Sequence, residues 1–262
     1  MLASDPVIAT ALWNNAAYAV ISVVFQVFGA FLLAAIIEGL GSPRARAFWR
    51  AVYFIPSAIS TTVTGLLFYF IYQPDIGLLD GLLTGLGLAD SSRVWMGDPK
   101  TAIYAITAMS QWHGFGYSAL LFSFAIQKIP TELYDAARMD GAGTPRQIWA
   151  ITLPITLPMT LPMTREMTGM MVIITVTGAF QDFNEVMVMT TGGPNNSSQV
   201  LGTWLYEQGF NQNDMGYAAA IGALIFAITM ACGGAQLWLN NRRRSACAFG
   251  SRWPGPSVGR CF

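Results

Sequence analysis

Five apolar runs constrain this chain more than any other feature. A helix that crosses a bilayer needs about 20 mostly apolar residues. Runs of that length occur at about Ala16–Ile37, Ala51–Tyr72, Thr101–Ile126, Met167–Met189 and Tyr217–Leu239. Only 11% of the 262 residues are charged and 53% are hydrophobic, whereas a soluble domain is about 25% charged. The fold expected is an all-α membrane protein, a polytopic bundle with five transmembrane helices.

Basic residues set the orientation, because they concentrate on the cytoplasmic side. Arg44, Arg46 and Arg50 separate the first two runs. Lys128, Arg138, Arg146 and Arg165 separate the third from the fourth, and Arg242, Arg243, Arg244, Arg252 and Arg260 follow the fifth. Only Arg93 and Lys100 fall on the opposite side. The N-terminus is thus expected outside and the C-terminus in the cytoplasm. Met1–Asn15 has no basic segment before its apolar run, so no cleavable signal peptide is expected.

Several chemistries are excluded. Net charge is zero, which gives no electrostatic footprint for nucleic acid. Cys232, Cys247 and Cys261 form no CxxC pair and His113 is the only histidine, so no metal site is expected.

The outer loops carry turn and interface signals. Gln73–Asp98 contains a Gly/Leu-rich stretch that suits a short interfacial helix. Thr190–Gly216 contains TTGGPNNSS, a turn cluster. WLYEQGF follows it, an aromatic segment of the interfacial kind.

Residues 129–154 read IPTELYDAARMDGAGTPRQIWAITLP, the longest charged break in the chain. Thr131 can cap a helix with Glu132 and Asp135 near its positive end. Gly141 and Gly143 interrupt that helix. Thr144 caps a second one with Pro145 at its first position. The product is a charged helix–turn–helix on the membrane surface, suited to docking in a partner's groove.

This stretch resembles the EAA loop of the membrane-spanning permeases of binding-protein-dependent ABC importers. The matching residues are Asp135-Ala136-Ala137, Asp140-Gly141-Ala142, Ile148, Ile151 and Leu153-Pro154. Asp135 stands where the family has Glu, which keeps the charge and shortens its reach. QKIP at Gln127–Pro130, TTGGP at Thr190–Pro194, WLYEQGF and GYAAA at Gly216–Ala220 resemble the carbohydrate-uptake branch.

The resemblance covers residues 14–244 and implies a transmembrane domain with a coupling loop at 129–154. Asp135, Ala136, Ala137, Asp140, Gly141 and Ala142 would seat in a cytoplasmic ATPase dimer. A second permease subunit would complete a heterodimer, and an extracytoplasmic solute-binding protein would deliver the sugar. The expected location is the bacterial inner membrane. No GxxxxGK[ST] phosphate loop is present, so no cofactor is expected on this chain and ATP belongs to the partner ATPase.

Ionisable residues inside a span are costly and point to function. The fourth run carries Gln181, Asp182, Asn184 and Glu185 beside Phe180 and Phe183. Rings with hydrogen-bonding groups suit a sugar, and merely solvated residues at the outer interface would look the same. Gln111, Trp112 and His113 form a polar–aromatic patch in the third run, where substrate contact competes with hydrogen bonding inside the bundle. The same two readings apply to Ser57, Ser60, Thr61, Thr62 and Thr64 in the second run.

Three features depart from the family. It has six spans, and the first run here resembles its second, with Met1–Asn15 as the tail of a preceding loop. LPITLPMTLP at 153–162 repeats Leu-Pro three times where the family has it once. Three prolines so spaced cannot continue a regular helix, which suggests repeat slippage of about eight residues that loosens coupling to the fourth span. Residues 245–262 have no periodicity and are expected to be a disordered tail.

Two other classes fit an apolar chain less well. An intramembrane enzyme needs a nucleophile–base or metal constellation that a lone histidine does not give. An ion-coupled transporter should show internal repeats.

Overall fold

The computed structural model describes residues 5–87, 94–127, 139 and 160–250. Apart from Met139, the coupling stretch lies outside these residues, and so do Asp135, Ala136, Ala137, Asp140, Gly141 and Ala142. The described residues form helices and turns, with no strand among them.

The first helix, α1, spans Pro6–Glu38. It begins well before the expected start at Ala16. Asp5 caps it by accepting a hydrogen bond from the Val7 N–H at 2.9 Å, and Pro6 occupies a first-turn position where its missing donor costs nothing. Residues 6–15 of the segment read as a loop tail are therefore helical. At 1.5 Å per residue the helix is about 50 Å long, more than the roughly 30 Å hydrocarbon layer. Val23–Gly29 is wound as a π-helix.

Two expected spans are broken. Ala51–Tyr72 is divided between α2, Pro43–Ala58, and α3, Thr61–Ile71, which meet at 89°. Pro56 weakens the last turn of α2, and Ile59 and Ser60 are extended, with ψ of 146° and 135°. After a short helix α4, Leu78–Gly85, in the loop where one was expected, comes α5, Ala102–Ile126. The fourth run is divided between α6, Thr160–Gln181, and α7, Asn184–Met189. Pro162 lies within the described part of α6. Pro154 and Pro158 lie outside the described residues.

The remaining helices are α8, Leu201–Tyr206, which continues as a π-turn over Glu207–Asn211, and α9, Met215–Gly250. Helix α9 contains the fifth run and enters the segment expected to be disordered; residues 251–262 lie outside the described residues. Both α1 and Met215–Gln236 are long and apolar enough to cross a membrane, and the bent α2–α3 pair qualifies as one span.

Helices α1 and α5 form a parallel pair at the centre. Tyr18 meets Ser110, Ser22 meets Gln111, Gly29 meets Phe115 and Glu38 meets Gln127. Ala30, Ala34 and Ala119 are buried where the two helices pack, and small residues permit that close approach in a membrane. Helix α2 runs antiparallel to α5. A Cβ on Gly116 would lie 1.7 Å from the Tyr53 carbonyl oxygen, so the crossing requires glycine. Large apolar side chains such as Trp13, Phe28, Val63, Phe70 and Phe226 stay exposed, as lipid-facing or partner-facing surfaces do.

Candidate functional site

The two breaks face one polar side of α5. The backbone at a break leaves carbonyl and amide groups unpaired, and hydrocarbon cannot satisfy them. His113 Nε2 lies 3.0 Å from the Ile59 carbonyl at the first break. The Ser57 hydroxyl donates to the His113 carbonyl at 2.6 Å and accepts from the Tyr117 N–H at 3.1 Å. One turn away, Ser110 hydrogen-bonds Tyr18, and Tyr18 donates to Glu185 in the first turn of α7. Helix α7 packs on α3, with Gly65 against Val188. The second halves of both broken spans, α3 and α7, thus sit together.

Helix α1 supplies the rest of the support. Asn15 donates to the Ala179 carbonyl at 2.6 Å, just before the second break, and accepts from the Leu201 N–H at 2.9 Å, just after it in space. Asn14 donates to the carbonyls of Ser197 and Gln199 at 2.7 and 2.8 Å. That fixes the TTGGP loop, in which Gly192 has φ +86° with the Gln199 amide against it. Gly202 lets α8 reach the break: a Cβ there would lie 2.9 Å from the Asp182 carbonyl oxygen.

The residues singled out from sequence divide into two groups. Gln111 is buried and donates to Ser22 at 2.9 Å and to the Thr107 carbonyl at 3.2 Å. His113 holds a break. Glu185 is 5% exposed, and Phe180 packs with Tyr18, Leu201 and Trp204. These four side chains are engaged inside the bundle. Asp182 and Phe183 lie at the break itself and are only partly buried, with the Asp182 carboxyl also in hydrogen-bond contact with Tyr18 and Glu185.

Phe183 belongs to a row of rings. Its centroid lies 5.4 Å from that of Tyr206, which stacks on Phe210 at 5.0 Å and 27°. Phe210 is exposed. Tyr206 and Phe210 were read from sequence only as an interfacial segment; their spacing of one helical turn is the signal that they share a face. Asn14, Asn15 and Tyr18 were not singled out either. The spacing of Asn14, Tyr18, Ser22 and Gln26 marks a polar stripe on an apolar helix, and such a stripe must face protein.

The family model for binding-protein-dependent transport system inner membrane components matches residues 30–245. A relative from Bacillus subtilis, described as a probable ABC transporter permease protein, YurN, is 47% identical over 227 residues, covering 87% of this chain and 75% of that one. The arabinooligosaccharides transport system permease protein AraP of the same organism is 30% identical over 229 residues, covering 87% of this chain and 70% of that one.

A crystal structure of a bacterial alginate ABC transporter in complex with an alginate pentasaccharide-bound periplasmic protein has a similar fold. Its TM-score is 0.79 at 20% identity, over 92% of this chain and 81% of that one. The chain is a member of the binding-protein-dependent transport system inner membrane component family, a permease subunit of an ABC importer whose ATPase is a separate subunit.

Proposed function

We propose that this chain forms half of the translocation pathway of an ATP-driven saccharide importer in the bacterial inner membrane. The observation that carries the substrate class is the ring row Phe183–Tyr206–Phe210, which starts beside Asp182 at an interrupted span. Rings stack on apolar sugar faces, and a carboxylate accepts from hydroxyls. The printed name of AraP, arabinooligosaccharides transport, agrees with that chemistry. Asp182 and Phe183 are the substrate contacts; Glu185, Phe180, Gln111 and His113 build the wall behind them.

Asp135, Ala136, Ala137, Asp140, Gly141 and Ala142 couple the pathway to the ATPase dimer. The coupling loop at 129–154 is part of a transmembrane domain over 14–244, followed by a tail at 245–262. A second, distinct permease subunit supplies the other half. The Asp5 end of α1 faces outward, where the solute-binding protein docks. The Glu38 end, beside Arg46 and Arg50, faces the cytoplasm together with the C-terminus, as the charge bias requires.

Purification of the native complex through a tag on this chain tests the reading. The ATPase is expected to co-purify and to be lost when Gly141 is replaced by Trp. In proteoliposomes, labelled oligosaccharides beginning with arabinotriose are expected to enter only with ATP and the binding protein. A chain that purifies without an ATPase, or a complex that takes up none of a saccharide panel, overturns it.

A further inference from the structure

The end of the bundle opposite the ring row holds a charged node that no step above uses. Glu38 lies in the last turn of α1. A carboxylate there opposes the helix dipole, so it does not serve its own helix. Its side chain is 7% exposed, and its partners come from two other helices. Arg50 of α2 donates at 2.6 Å and Arg46 lies at 3.7 Å. The Ser123 hydroxyl of α5 donates to the same carboxylate, and the Gln127 side-chain oxygen accepts from Arg50 at 2.8 Å.

Each pair sits one helical turn apart on its helix, so each presents both groups to one point. Three helix ends are tied to one carboxylate. A buried ion pair adds little stability over an apolar replacement. What it supplies is a fixed register, because directional hydrogen bonds do not slide as apolar contacts do.

The node's position gives that register a use. Gln127 immediately precedes the segment that leads into 129–154. Arg50 belongs to the helix that ends at the 89° bend. We infer that Glu38 is a positioning residue that passes movement of the coupling loop from the end of α5 to the bent α2–α3 pair. The inference rests on the importer reading. It predicts that breaking the node leaves ATPase closure intact and disconnects the outer half of the span from it.

Distance measurement between spin labels on the tagged native complex tests it. Labels replace the exposed Trp13 of α1 and Val63 of α3, with Cys232, Cys247 and Cys261 changed to Ser. Spectra are compared without nucleotide and after trapping with ATP and vanadate. The complex without node substitutions is expected to shift its distance on trapping. The charge-neutral pair Glu38→Gln/Arg50→Gln is expected to trap vanadate with the shift lost.

Ser123→Ala removes one hydrogen bond and no charge, and is expected to reduce the shift. An equal shift with the neutral pair overturns the inference. Should the neutral pair fail to assemble, Ser123→Ala decides: a reduced shift supports the inference and an unchanged one overturns it. Trapping without any shift in the unsubstituted complex overturns the inference alone, whereas a complex that traps no vanadate overturns the importer reading.

Discussion

Tyr18 of α1 donates its hydroxyl to Glu185 on the far side of the α6–α7 break. Asn15, on the same helix, holds the Ala179 carbonyl on the near side. One unbroken helix thus fixes both ends of an interrupted one. Asn15 thereby satisfies a backbone carbonyl just before the break at which Asp182 and Phe183 lie.

Glu185 is hydrogen-bonded by the hydroxyls of both Tyr18 and Ser110, so removing the Tyr18 hydroxyl takes one of two hydroxyl donors from a buried carboxylate. Tyr18→Phe is expected to cost about 1–2 kcal/mol, read as a lower unfolding midpoint of the detergent-purified complex. Glu185→Leu should cost more, because it leaves the hydroxyls of both Tyr18 and Ser110 without their acceptor. An unchanged midpoint for Tyr18→Phe would show that Ser110 alone satisfies Glu185.

The glycines should separate by what surrounds them. At Gly116 a Cβ meets the Tyr53 carbonyl at 1.7 Å. This is backbone, which cannot swing away, so Gly116→Ala is expected to lose about 3 kcal/mol and to lower the amount of assembled complex. At Gly114 the nearest atom is Gln26 Nε2 at 2.8 Å, the end of a flexible side chain, and Ala should be nearly neutral. Gly178 has open space around it, and Ala there should stabilise α6 slightly. Expression and unfolding midpoints of the three variants check the order.

The same contrast explains how much could be read from sequence. Apolar length located α5 to within a residue and placed α9. The Gly/Leu-rich stretch correctly suggested α4. Local patterns missed both breaks, because hydropathy averages over Pro56, Ile59 and Asp182 and sees one apolar run. They also missed the start of α1. Asn14 and Asn15 look like loop residues until the carbonyls they serve, near residues 179 and 197–199, are known. Those partners are distant in sequence, and no local rule reports them. Phe183 was singled out from its place in the fourth run, but Tyr206 and Phe210 joined it only through tertiary packing.

Asp5 should make its own end of the bundle sensitive to acid. Burial alone raises its pKa, but hydrogen bonds from Tyr217, the Val7 N–H and Trp204 outweigh burial and hold it below the usual 3.8. A carboxylate with a depressed pKa adds stability above its unfolded value, and that stability fades as pH falls through the folded value. Asp5→Asn is therefore expected to unfold at a lower temperature than the native chain at about pH 6, and the two should converge as pH falls through the lowered folded-state value. A constant difference between them over that range would exclude ionisation as the cause.

Phe180 and Phe183 lie one turn apart in sequence and should respond oppositely to truncation. Phe180 is 9% exposed within the cluster that joins α1, α6, α8 and α9. Phe180→Ala is expected to cost about 3 kcal/mol and to reduce assembled complex, while any complex that remains transports with the native KM. Phe183 touches Tyr206 on one side and is partly open on the other. Its ring contributes about 1 kcal/mol of stacking, which is roughly a fivefold change in affinity. Phe183→Ala should therefore leave assembly intact and raise the KM for the transported saccharide by about that factor, whereas Phe183→Trp should keep it near the native value. Uptake in proteoliposomes, normalised to the amount of assembled complex, separates the two effects. A KM unchanged by Phe183→Ala would remove the ring row from the pathway and leave it as part of the wall.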